Sequence, residues 1–146
     1  MLFCLETLKL CNPETYTLVV ARSYRELLVW QKAKALAAQI YQATEQFPKP
    51  ETYGLTSQIR RAAVSVPSNI AEGQGSLTCG EFCHFLGQAR GSLLELETQL
   101  AIAMDLTYLK PDQYEILDHE SYRVLGLLNR LIDSLRKSKA HPGPKP

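Results

Sequence analysis

Between Leu55 and Ile70 the apolar residues fall at steps of three and four: Leu55, Ile59, Ala62, Ala63, Val66 and Ile70. That spacing lines one side of an α-helix. A second line, Ser57, Arg61, Ser65, Ser68 and Glu72, is small and polar along its length. Pro67 stands in the middle of the pattern. It has no N–H for the Ala63 carbonyl and its ring presses on that group, at a cost of about 3 kcal/mol. Serines on either side can rebond the freed backbone, so the spacing predicts one helix kinked at Pro67 rather than two helices. Gly73 and Gly75 suit a left-handed cap at its end.

Three further helical patterns flank this one. Ser23 reads as the N-cap of a first helix running to about Gln46, with a seam of Trp30, Ala33, Ala37, Ile40, Thr44 and Phe47, widened by Leu36 and Ala43. Pro48 and Pro50 end it, and a loop leads to Tyr53-Gly54. Thr78 with Glu81 three residues on is a capping box, and Leu77 and Phe82 take the positions of its hydrophobic staple. From Phe82 through Phe85, Leu86, Ala89, Leu93, Leu96 and Leu100 to Ala103 the period holds to about Asp105. Gly87 and Gly91 lie one turn apart in this helix, as expected where a neighbouring backbone comes close. Pro111 fits the first position of a fourth helix. Its seam is Tyr114, Leu117, Ser121, Val124, Leu128, Leu131 and Leu135.

Long helices joined by short loops predict an all-α fold, an up-down-up-down antiparallel four-helix bundle over residues 22–137. Residues 1–21 form an N-terminal extension whose Thr15–Val20 alternation could be a brief strand, read equally as an appended arm or an upstream start. Residues 138–146, with three prolines and a glycine, form a tail expected to be disordered.

Composition adds boundaries rather than chemistry. The chain has 146 residues, 45% of them hydrophobic, enough for one domain with its own core. A formal net charge of +1 argues against a dedicated polyanion binder on total charge, and leaves local patches open. The four cysteines, Cys4, Cys11, Cys79 and Cys83, form no recognisable disulfide framework. Without a convincing secretory signal or a membrane-length apolar run, the expected location is cytoplasmic.

Catalytic and metal motifs are incomplete. Glu81-Phe-Cys-His84 is a Glu-x-x-His, but a di-metal bundle needs a second such unit and two more glutamates. Cys79, Cys83 and His84 do not complete a zinc site. No nucleophile elbow or phosphate loop is present, so we expect no enzyme, no cofactor, no metal and no small-molecule substrate.

Two polar groups remain. Around Pro67 the short residues Ser65, Ser68 and Ala71 leave a shallow groove, suited to close contact with another subunit. The candidate oligomer interface is therefore Arg61, Ser65, Pro67, Ser68, Asn69 and Glu72, with Arg61 and Glu72 able to pair across it. In an up-down-up-down bundle the start of the first helix meets the end of the fourth. That brings Arg22 and Arg25 to Arg130, Arg136 and Lys137, with Arg123 further along. Arg123, Arg130 and Lys137 are seven residues apart and project from one side. These six are the candidate nucleic-acid-binding residues; the acids expected there, Glu26, Glu72, Glu81 and Asp133, are fewer.

The run TSQIRRAAVSVPSNIAEG, followed by EF-x-x-FL and GSLLELETQL, closely resembles the four-helix-bundle proteins of the 23S rRNA intervening-sequence family. That family includes the accessory variability proteins of diversity-generating retroelements. The resemblance spans about Tyr24 to Leu135. It implies a non-enzymatic, ring-forming homo-oligomer, a homopentamer in the retroelement branch, with a reverse transcriptase and RNA or DNA as partners. The near-neutral charge departs from the strongly basic retroelement proteins. The alternative is a structural protein-interaction module of the ribosomal intervening-sequence type that binds no nucleic acid.

Overall fold

The computed structural model describes residues 23–140, and four helices carry them. They are α1 (Leu28–Thr44), α2 (Leu55–Gln74), α3 (Cys79–Asp105) and α4 (Pro111–Ala140). Each packs on its sequence neighbours, and α4 returns to α1, which closes the ring of an up-down-up-down bundle. No strand occurs among the described residues. Arm residues 1–21, with Cys4 and Cys11, lie outside them, as does Arg22.

The core follows the predicted seams. Ile40 from α1, Ile59 and Ile70 from α2, Leu86, Leu93, Leu96 and Leu100 from α3, and Leu128 and Leu135 from α4 are fully enclosed. Burying each such side chain contributes about 1.5–3 kcal/mol. Ser121, placed in the α4 seam by spacing, is 0% exposed.

Helix ends depart from the sequence reading in five places. Ser23 caps a short 3-10 turn, Tyr24–Glu26, by accepting from the Arg25 N–H at 3.3 Å. Leu27 is extended, so α1 starts at Leu28 without a side-chain cap and stops at Thr44 rather than Gln46. Leu77 is 72% exposed while Phe82 is buried, so the capping box of α3 forms without its staple. Gly75 is right-handed, with φ −80° and ψ −4°, and α2 needs no left-handed cap. Finally, α4 runs on to Ala140, past the boundary expected at Lys137.

A left-handed residue does occur, at Thr107 with φ 61°. It follows the last turn of α3 and closes a Schellman arrangement: the Thr107 N–H donates to Met104 and the Tyr108 N–H to Ala103, both at 2.9 Å. Tyr108 then stacks on Phe47 with ring centroids 5.6 Å apart and donates its hydroxyl to Glu51 at 3.2 Å. The other Glu51 oxygen accepts the Leu55 N–H, 3.0 Å away, at the start of α2. One carboxylate thus joins the α1–α2 and α3–α4 connections.

The α2–α3 pair is the most extensively packed, and its glycines are not where spacing put them. A Cβ on Gly73 would lie 2.8 Å from Phe82 Cδ2 and from Phe85 Cβ, so the end of α2 touches α3 through a missing side chain. By contrast, a Cβ on Gly87 or Gly91 would meet nothing within 4 Å. Those two glycines are exposed and serve no close approach inside the protomer. Pro67 lies within α2, which continues through it, and is buried. Ser68 Oγ donates to the Val64 carbonyl at 2.9 Å, one residue past the carbonyl that Pro67 leaves unbonded.

Between α3 and α4 the charge is negative. Glu97 holds its proton more tightly than a free carboxyl, first because it is partly desolvated and second because Asp118 is close. Tyr114 is raised by burial and then by Asp118, Glu97 and Asp105.

Two outcomes follow. Gly73→Ala should lower stability by about 1–2 kcal/mol in urea denaturation, since overpacking outweighs the helix-propensity gain of alanine. Gly87→Ala and Gly91→Ala should each raise it by about 0.5–1 kcal/mol, having only the propensity gain. The raised Glu97 carboxyl makes the folded state bind its proton more readily than the unfolded chain. Its contribution therefore improves as pH falls from neutral through the carboxylate range, and Glu97→Gln should flatten that part of the stability profile. An unchanged profile in the variant would show that neither desolvation nor Asp118 perturbs Glu97 in the folded state.

Candidate functional site

α4 carries the predicted cations on its surface. Arg123, Arg130, Arg136 and Lys137 are all exposed, and the seven-residue spacing of Arg123, Arg130 and Lys137 keeps those three on one side of the helix. Arg123 is committed in part, since its Nη1 lies 2.9 Å from Glu120 Oε1. Arg130 passes close to Gly126, whose absent Cβ would lie 4.0 Å from Nη2. Arg25 stands apart from this row. Its 3-10 turn packs on α1 and α2, and its guanidinium sits 5.6 Å from the Tyr24 ring centroid. The sixth predicted cation, Arg22, lies outside the described residues.

The six residues around Pro67 divide into an outer and an inner set. Arg61, Ser68 and Glu72 are exposed, and among the described residues no ion pair joins Arg61 to Glu72. Ser65, Pro67 and Asn69 serve packing within the chain itself. The Ser65 and Ser92 hydroxyls are hydrogen-bonded across α2 and α3 at 2.9 Å. Asn69 Nδ2 donates to the Ser65 carbonyl at 2.9 Å and to its hydroxyl at 3.0 Å. Short polar side chains here let two helices of one chain approach.

Arg60 was not singled out by the sequence. Its Nε donates to Thr44 Oγ1 at 2.8 Å and its Nη2 to the Tyr41 carbonyl at 3.3 Å. The guanidinium also lies 4.6 Å from the Tyr41 ring centroid. A cation from α2 therefore closes the negative end of the α1 dipole. The usable signal was Thr44, a polar residue in an apolar seam that needed a partner. Further up α1, Lys34 Nζ is 5.2 Å from the Trp30 ring centroid, and Trp30 meets Tyr24 edge to face at 5.1 Å.

Glu81 is engaged in its capping box, accepting the Thr78 N–H at 3.2 Å. His84 is hydrogen-bonded to Gln88, with their Nε2 atoms 3.0 Å apart. Among the described residues, no three or more His, Cys, Asp or Glu side chains converge as a metal site. No described helix is long and apolar enough to cross a membrane.

Comparison with known proteins agrees with this architecture. A crystal structure of a protein of unknown function from the S23 ribosomal protein family of Bacteroides thetaiotaomicron superposes with a TM-score of 0.68 at 23% identity. The match covers 73% of this chain and 96% of that one, a likeness of fold. No curated protein matches the sequence. Residues 25–130 match the sequence profile of the 23S rRNA-intervening sequence protein, and the chain belongs to that family.

Proposed function

We propose that the protein is a non-enzymatic, homo-oligomeric adaptor of the cytoplasm that grips the phosphate backbone of RNA or DNA along α4. The observation that carries this reading is the exposed row Arg123, Arg130 and Lys137, with Arg136 exposed on a neighbouring side of the same helix. Asp118 of α4 lies close to Glu97 of α3, so the negative charge between those two helices is set away from the line of Arg123, Arg130 and Lys137. In the retroelement branch of the family the partner would be a reverse transcriptase with its template RNA. Neither a cofactor nor a small-molecule substrate enters this reading.

A second reading is a structural protein-interaction module of the ribosomal intervening-sequence type, without nucleic acid. The outer face of α3 favours it. There Gly87 and Gly91 leave the backbone open, and Leu94 and Ile102 are 42% and 45% exposed. Under either reading we place subunit contacts on exposed residues, Arg61, Ser68 and Glu72 of α2 and this α3 face, and take a pentamer as the expected ring.

RNA affinity of the wild type and of an Arg130→Glu/Arg136→Glu double variant, measured across a salt series, separates the two readings. Phosphate gripping predicts a log–log slope of about −0.7 per contacted phosphate and a smaller slope in the variant. Base changes should matter little, because phosphate contacts position without specifying sequence. Equal affinity and slope in the two proteins would remove the nucleic-acid role. Light scattering at micromolar concentration should give a closed oligomer that Arg61→Glu weakens more than Lys49→Glu does. A monomeric wild type would end the adaptor-ring reading.

A further inference from the structure

Every cation–π contact among the described residues lies on the α1–α2 side of the bundle. Arg25 stands over Tyr24, Lys34 over Trp30 and Arg60 over Tyr41, with cation-to-centroid distances of 5.6, 5.2 and 4.6 Å. Such contacts ordinarily occur about once per 70–80 residues and are scattered. On α1 the positions of Trp30, Lys34 and Tyr41 fall within about 40° of one another, so they form one line roughly 16 Å long from Trp30 to Tyr41. Tyr24 and Trp30 pack against the core, which fixes their orientation, while Tyr41 remains 43% exposed. Between the two ring positions the small side chain of Ala38 is exposed on α1. The exposed acids of this side, Glu26 and Glu45, lie beyond the two ends of α1, so the middle of the line is cationic and aromatic.

We infer that the outer groove between α1 and α2 is a stacking site for single-stranded nucleic acid, with bases against Trp30 and Tyr41 and phosphates near Lys34 and Arg60. This rests on the nucleic-acid reading above and adds a second surface to it. A row of cations alone attracts any polyanion. Rings held in place by packing, whose resident cations swing from the ring face to a phosphate, also capture bases, whose flat faces all stack whatever the sequence. A duplex, with its bases already stacked, gains nothing from the rings, so the groove selects single strands.

Trp30 is the sole tryptophan of the chain, so its emission reports the groove directly. The full chain is titrated with oligouridylate, with a duplex of the same length and with inorganic polyphosphate. Oligouridylate should quench Trp30, whereas polyphosphate should bind without quenching and the duplex should bind more weakly than the single strand. Tyr41→Leu, at an exposed ring, should weaken oligouridylate binding about tenfold and leave polyphosphate binding unchanged, with helicity checked by circular dichroism. Trp30→Leu, followed by anisotropy of a labelled oligonucleotide, should do the same. Arg130→Glu/Arg136→Glu should instead weaken both ligands and keep the quenching at saturation. Oligouridylate binding with unchanged Trp30 emission and full affinity in Tyr41→Leu would overturn the groove and leave the α4 row standing. No binding of any ligand would overturn both. Emission that changes with protein concentration alone would assign the groove to a second copy of the chain and overturn the stacking site.

Discussion

The contact of Gly73 with Phe82 and Phe85 sets the distance between α2 and α3, and much of the bundle depends on that distance. With the last turn of α2 held against the first turns of α3, Ser65 and Ser92 come within hydrogen-bonding reach further along the pair. The small residues of α2 are thereby used within the chain. A larger side chain in any of these places would part the two helices, and the leucines of α3 would lose the surface against which they pack. The tight pair forms one half of the bundle, and α1 and α4 complete the ring around a shared core.

Fold and seam were legible because buried positions must recur with the period of the helix, whatever the chain's purpose. Leu86, Leu93, Leu100, Val124 and Leu128 declare their burial by spacing alone. Glycine carries no such information. The same residue marks a close approach at Gly73, open surface at Gly87 and Gly91, and a right-handed end at Gly75, and only three-dimensional neighbours distinguish them. The capping box was legible because Thr78 and Glu81 answer each other by hydrogen bonds, whereas Ser23 stood alone and the Leu77–Phe82 pair had only spacing behind it. Arg60 was hidden for a related reason: its partners, Thr44 and the Tyr41 carbonyl, belong to another helix. Of the candidate sites, the α4 cations could be placed on one side by their seven-residue spacing. The neighbourhood of Pro67 could not, because short polar residues suit an inner seam and an outer groove equally.

A formal charge of +1 conceals a molecule with unlike sides. Arg123, Arg130 and Lys137 line one side of α4, while Glu97, Asp105 and Asp118 lie near Tyr114 where α4 meets α3. The sum of charges predicts little about a partner; the separation of charges predicts orientation. Copies of the chain set beside one another face the same asymmetry, since like flanks repel and unlike flanks attract.

The bond between Tyr108 and Glu51 has a bearing on how the protein can change length. It ties together the two connections at one end, and Thr107 holds a left-handed backbone there without the glycine that would relax it. An added residue in either connection would pull Tyr108 from its carboxylate and from Phe47, and would release the start of α2 that the same carboxylate caps. The turn between α2 and α3 lies at the far end, and its Leu77 projects into solvent. Insertions, peptide tags and fusion partners are therefore expected to disturb the bundle when placed at the Glu51–Tyr108 end.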